Sequence, residues 1–152
     1  MFMQKPSFIF LMATIFICVS ACKNARFSNP KAVSEVFKYT EQANTPCTGK
    51  LKHDGEQIAI KGYIQKLNTF PGENRFHMFE SADITSSRIE IHVTDNSTEI
   101  FKKISDKLGK LKEDEYISIT IRGTITGQAL PMNGICKMGT FINLSSTDYI
   151  RL

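Results

Sequence analysis

The side chains best suited to chemistry in this 152-residue chain are four cysteines, Cys18, Cys22, Cys47 and Cys136, and three histidines, His53, His77 and His92. A hydrolytic site needs a nucleophile beside a base, or two carboxylates around a scissile bond. The chain has no G-x-S-x-G, no H-E-x-x-H and no glycine-rich phosphate loop. A structural zinc site needs closely spaced ligands such as C-x-x-C, and none occurs. His77 and His92 fall in two segments of alternating pattern and so are able to share a face, as two zinc ligands would, but no third ligand accompanies them. The expectation is two surface histidines, with no catalytic residue, no metal and no cofactor. Binding is the favoured class of function and enzyme the weakest.

The first 21 residues hold one basic residue, Lys5, and then an almost uncharged run from Phe8 to Val19. The run is too short to span a bilayer and ends in small residues, the pattern of an export signal. Val19, Ser20, Ala21 and Cys22 resemble the lipobox of bacterial lipoproteins, in which the cysteine thiolate takes a diacylglyceryl group before cleavage on its N-terminal side. Only a thiol forms that thioether, and small residues before it let the peptidase close around the chain. The resemblance implies a signal peptide over 1–21, a lipid on Cys22 and a lipidated tether over 22–30. Lys23 in place of Asp resembles the sorting pattern of outer-membrane lipoproteins, so the implied address is the cell envelope, on a bacterial membrane and by preference the outer one. The residues from Lys23 to Pro30 reach at most about 28 Å when extended, which keeps the following domain close to the lipid.

Without the signal the chain carries 18 basic and 15 acidic side chains, about +3. That is below what a dedicated nucleic-acid binder shows. With Cys18 removed and Cys22 alkylated, Cys47 and Cys136 remain in a compartment where disulfides persist. The expectation is a bridge between them, with two free thiols as the alternative. Such a bridge closes a loop of 89 residues and in the chain-entropy model contributes about 3 to 5 kcal/mol.

At 41% hydrophobic and 22% charged residues, the chain is long enough for one core and too short for two ordinary domains. One domain is expected, over 31–152. From Pro30 to about Gln42, the spacing of Val33, Val36, Phe37 and Thr40 predicts a short amphipathic helix that covers one open end of the core. The segment Glu56 to Leu67 alternates Ile58, Ile60, Gly62 and Ile64 with polar residues and predicts a strand, bent at its glycine. A second strand is expected from Arg75 to Glu80, where RFHMFE allows either Phe76 and Met78 or His77 and Phe79 to face inward. A third follows over 88 to 94, with Ile89, Ile91 and Val93 inward. The period then changes, because Ile100, Ile104, Leu108 and Leu111 recur at three and four, predicting a helix capped by Asn96 or Ser97 and ended near Gly109. EYISITIRGTITG predicts a fourth strand with Gly123 repeating the bend, QALPMNGICKMG a loop, and Thr140 to Leu144 a fifth strand.

Strand, strand, strand, helix, strand, strand, with glycines inside the first and fourth strands, resembles the OB-fold, a five-stranded Greek-key barrel. The expected class is thus mainly β with helices: one helix between strands three and four and one short N-terminal helix. More narrowly, IKGYIQ, IRGTITG, the intervening helix and the lipoprotein leader resemble the anticodon-binding-like (tRNA_anti-like) OB-fold family of bacterial envelope lipoproteins. The barrel pairs its first and fourth strands antiparallel, which places Cys47 and Cys136 on the same side.

OB-folds bind oligonucleotides or oligosaccharides on the face of strands two and three and in adjoining loops. Here that region presents Lys61, Tyr63, Phe70, Arg75, His77, Phe79, Arg88 and His92 as candidate ligand contacts. Bases stack on aromatics while cations follow phosphates, but the same residues also suit a plain solvated sheet face with Phe79 in the core. An exported domain does not meet transfer RNA, so an envelope protein or glycan is the favoured partner and single-stranded nucleic acid the alternative. Lys103, Lys107 and Lys110 form a stripe that reads as a wet helix face, and Leu130, Met132, Ile135 and Met138 an apolar patch open to a partner or folded onto the barrel.

Overall fold

A computed structural model describes residues 27–41, 53–132 and 135–152 and, within them, all side chains except those of 40–41 and 129–138. Cys22, the signal segment, most of the tether, Cys47 and the side chain of Cys136 lie outside the described residues, and with them the expected anchor and bridge. In chain order the elements are β1 (Lys31–Ala32), α1 (Val33–Glu41), β2 (Gln57–Gln65), β3 (Thr69–Phe70), β4 (Arg75–Phe79), β5 (Arg88–Val93), α2 (Ser97–Leu108), β6 (Tyr116–Met132), β7 (Ile135–Leu144) and β8 (Ile150–Arg151).

Strand pairing closes a barrel. β2 meets β4 antiparallel at Tyr63 and Phe79, β4 pairs antiparallel with β5, and β5 runs parallel to β7. β7 returns antiparallel to β6, and β6 pairs with β2 antiparallel over Gln57–Gln65, completing the circuit of five. This strand order, with α2 inserted between the third and fourth barrel strands, is the OB-fold.

Alternation explains the interior. Ile60 and Ile64 of β2, Phe76 and Met78 of β4, Ile91 of β5, Ile121 and Ile125 of β6 and Ile142 and Leu144 of β7 are all fully buried. Apart from the buried Gln65, their polar neighbours face out, as a period of two demands. At roughly 1.5 to 3 kcal/mol for each buried side chain of this size, the barrel strands supply most of the stabilisation.

The two helices close opposite ends. β5 starts beside Glu80, whose carboxylate accepts from the Ser34 backbone N–H (2.8 Å) and hydroxyl (3.2 Å) at the start of α1. It ends at Val93, just before α2. α2 buries Ile100, Phe101, Ile104 and Leu108, with Phe101 edge-on to Phe76 at 6.3 Å. Among its described side chains α1 buries Val33 and Val36, and a nine-residue helix is too short to persist alone. Its docking depends on that small contact and on Glu80.

Four local expectations change. Phe37 is 43% exposed and leaves the core stripe, which is carried by Val33 and Val36 with Tyr39 packed beside them. Asn96 occupies the N-cap position of α2 in a left-handed conformation, but its amide donates to the Ser145 carbonyl (3.2 Å) and makes no side-chain cap. Leu111 lies past the end of α2 and packs on the core from the turn. The stretch from Gln128 to Gly139 is no loop: β6 and β7 stay paired from Gly127 and Thr140 out to Met132 and Ile135.

The mid-strand glycines have a sharper cause than a bend. A Cβ at Gly62 would lie 2.5 Å from the Phe79 carbonyl oxygen and 2.8 Å from Met78 Cγ. At Gly123 it would lie 2.3 Å from Ile142 Cγ2 and 2.6 Å from the Asn143 carbonyl oxygen. Each glycine lets a neighbouring barrel strand pass over it.

Candidate ligand-binding face

The register of β4 against β5 sets which outward side chains meet. Arg75 lies opposite His92, His77 opposite Glu90 and Phe79 opposite Arg88. β7, parallel to β5, brings Phe141 beside Glu90. Phe76 and Met78 take the inward positions, which settles the open choice in this strand and leaves His77 facing out.

Glu90 is the centre of this face. Its carboxylate accepts from Arg75 Nη1 at 2.9 Å and from His92 Nε2, and His77 Nε2 stands 3.4 Å away. Arg75 also donates through Nε (2.8 Å) and Nη2 (2.6 Å) to Glu73, so its guanidinium is shared by two carboxylates. Behind His77, Asn68 bridges inward, its Oδ1 3.4 Å from His77 Nδ1 and its amide donating to Gln65 Oε1 at 2.7 Å. Gln65 is buried, so the polar chain runs from the surface to the edge of the core.

Aromatic rings hold both imidazoles. Phe70 sits edge-on to His77 at 5.5 Å and lies beneath the Arg75 guanidinium at 4.7 Å. Phe141 stacks on His92 at 4.2 Å with an interplanar angle of 22°. Phe70 and Phe141 thus flank a half-exposed patch of planar polar groups.

Charge follows from this packing. Burial lowers the His77 pKa, the charges of Arg88 and Arg75 add to that, and the pull of Glu90 in the other direction is outweighed. Burial pushes Glu90 upward, but the His92 hydrogen bond and the Arg75 charge prevail and hold its carboxyl below the usual range. Apart from the two histidines, the charged groups of the face are Glu73, Arg75, Arg88 and Glu90, which cancel.

Of the eight expected contacts, Phe70, Arg75, His77, Arg88 and His92 share this face. Phe79 does not serve as a contact: it is fully buried, with its ring edge-on to Tyr116 at 5.8 Å, and offers no stacking surface. Lys61 and Tyr63 instead line a shallow groove of about 240 Å³ with Lys31 and Glu80. Of the expected lysine stripe, Lys103 ties α2 to the C-terminal segment through the Thr147 and Ile150 carbonyls (both 2.9 Å), while Lys107 and Lys110 are exposed. The backbones of Leu130, Met132, Ile135 and Met138 belong to β6 and β7, and their side chains lie outside the described residues.

Glu90, Phe141, Asn68 and Gln65 were not among the expected site residues. Alternation already places Glu90 between Arg88 and His92 on the wet side of β5, but only the cross-strand register shows it as their shared acceptor. Among the described residues no three His, Cys, Asp or Glu side chains are placed to hold a metal ion. Both His77 and His92 direct Nε2 at the same carboxylate.

No protein-family model matches the chain. No curated protein matches it either. Among solved structures it is similar to the mitochondrial single-stranded DNA-binding protein Rim1 of S. cerevisiae, with 12% identity and a TM-score of 0.44 over 65% of this chain and 95% of that one. The fold assignment rests on the strand order itself.

Proposed function

We propose that this chain is a non-catalytic OB-fold binding module, held at the bacterial envelope by a lipid on Cys22, that engages a glycan through the outer face of β4 and β5. On this reading it belongs with the anticodon-binding-like OB-fold lipoproteins. The observation that supports the ligand face is the set Phe70, Arg75, His77, Glu90, His92 and Phe141, half-buried and mutually ordered on the side where OB-folds take ligands. Sugars offer apolar C–H faces to rings and hydroxyls to planar donors and acceptors, and this face has both. A protein partner fits less well, because stable protein interfaces have an apolar centre and this one has a carboxylate.

Single-stranded nucleic acid is the second reading. Its motive is the pair of rings with Arg88 on the same strand as Glu90 and His92; against it stands the charge balance, since Arg75 is already engaged by Glu73 and Glu90. Titrating the purified protein with envelope glycans and with single-stranded DNA at rising salt separates the two. Glycan binding that survives salt and falls about tenfold in Phe141→Ala agrees with the first reading. DNA binding at low salt that drops steeply as salt rises overturns it in favour of the second.

A further inference from the structure

We propose that this face is a proton-controlled anion site: acidification charges His77 and His92 around Glu90, and the face then takes up a carboxylate, phosphate or sulfate group carried by the ligand. This rests on the ligand face proposed above and adds its regulation and the chemical character of the group recognised. The geometry carries it. Two imidazoles and one guanidinium converge on a single carboxylate, and each imidazole packs against an aromatic ring with its Nε2 directed at that carboxylate.

Among the described residues, the strands that carry and flank the two imidazoles bring both signs of charge. Glu73, just before β4, and Arg75 within it contribute one charge of each sign, as do Glu90 and Arg88 on β5, and β7 contributes the uncharged Phe141 and Asn143. With neutral imidazoles the sum is zero and Glu90 repels an incoming anion. With both protonated the sum is +2, one carboxylate faces three cations, and the surplus attracts an anion to the half-exposed rim. Glu90 stays ionised through that change, because its neighbours hold its pKa low. His77 takes its proton at a lower pH than an ordinary imidazole, since its burial and the adjacent arginines oppose its charging.

Asn68 offers the protonated ring a second acceptor, against the burial that opposes its charging. Its amide donates to Gln65, which leaves its oxygen to face His77 Nδ1, while His77 Nε2 faces Glu90. A neutral imidazole donates from only one nitrogen, whereas the imidazolium donates from both and satisfies both acceptors.

The test uses full-length protein in detergent, with sulfate as the probe, because sulfate keeps its charge across the range and any pH dependence then belongs to the protein. Histidine ring NMR signals are followed during sulfate titrations at about pH 7.5 and about pH 5, on either side of the ordinary imidazole value. The expected result is affinity at least tenfold higher at the lower pH, with the His77 and His92 signals moving. His92→Gln should remove much of that gain, and Glu90→Gln should raise affinity at the higher pH by removing the competing charge. Equal affinity at both pH values, or perturbation confined to other residues, overturns the proposal and marks an adventitious ion only. The wider reading fails separately: a pH-dependent sulfate site without any glycan binding refutes the glycan module, and pH-independent glycan binding refutes only the proton control.

Discussion

Gly62 is where the packing account is most open to refutation. Replacing it with alanine adds one methyl group whose carbon would start 2.5 Å from the Phe79 carbonyl oxygen, 2.8 Å from Met78 Cγ and 3.1 Å from Val33 Cγ2. An ordinary carbon to oxygen contact is roughly 3.3 to 3.6 Å, so β4 must retreat by close to 1 Å from β2 at the point where they pair. Met78 and Val33 are fully buried, so neither has an empty direction in which to move. Over-packing of this kind costs about 1 to 3 kcal/mol, and a backbone obstacle puts this case at the upper end. Restricting the unfolded chain offsets about 0.4 to 1 kcal/mol, which leaves a net loss of roughly 2 kcal/mol. For a domain of this size that is a fall in Tm of about 6 to 12 °C. Chemical and thermal denaturation followed by circular dichroism measure it directly, with Gly72→Ala as the control. At Gly72 an added Cβ meets nothing within 4 Å, so that variant should be neutral or slightly stabilised. A Gly62→Ala protein within about 0.5 kcal/mol of the parent refutes the close-approach argument.

Four further outcomes are expected, two from the structure and two from the sequence. Glu80→Ala removes the acceptor for the first turn of α1 and should cost about 1 kcal/mol, with faster amide exchange confined to α1; unchanged exchange there refutes the docking role. Stability should fall with acidification in two stages, because both shifted groups have folded pKa values below their unfolded ones: the His77 share is complete above about pH 6.5 and declines below it, and the Glu90 share is lost as pH falls through its depressed carboxyl value. His77→Gln should abolish the upper stage, and a parent whose stability is flat from neutral pH to about pH 5 contradicts the burial of His77. At the termini, Cys22→Ser should release the protein from membranes, and non-reducing peptide mapping should find Cys47 joined to Cys136; retention of the variant, or two alkylatable thiols, refutes the anchor or the bridge respectively.

Periodicity made the barrel strands legible because each is wet on one side. Ile58, Ile60 and Ile64 against Gln57, Lys61 and Gln65 mark β2 without any knowledge of its partners. The β6–β7 arm was not legible in the same way. Its residues carry a proline, Pro131, and no clean alternation, which reads as a loop, yet pairing continues to Met132 and Ile135. A better signal was present: those ends leave only Asn133 and Gly134 between them in the sequence, the dipeptide that two-residue hairpins favour. Phe37 misled for a different reason, because a three-and-four spacing does not say how wide a stripe a short helix buries, and here Val33 and Val36 carry it.

The ligand face shows what periodicity omits. Alternation places Arg88, Glu90 and His92 on one side of β5 and Arg75 and His77 on one side of β4, but contact between them depends on the offset between the strands. That offset is set in the connection from Glu80 to Ser87, which closes with the Glu80 N–H on the Ser87 carbonyl at 2.8 Å. Within it, Asp83 accepts from the Thr85 N–H and hydroxyl, both at 2.8 Å, and those bonds lower its pKa. Slide β5 by two residues and His77 meets Arg88 or His92, while Glu90 meets Arg75 or Phe79; in neither case does His77 stand opposite the carboxylate. Of the cations that suggested a phosphate-binding surface, Arg75 is thus, in the folded register, already held by Glu73 and Glu90.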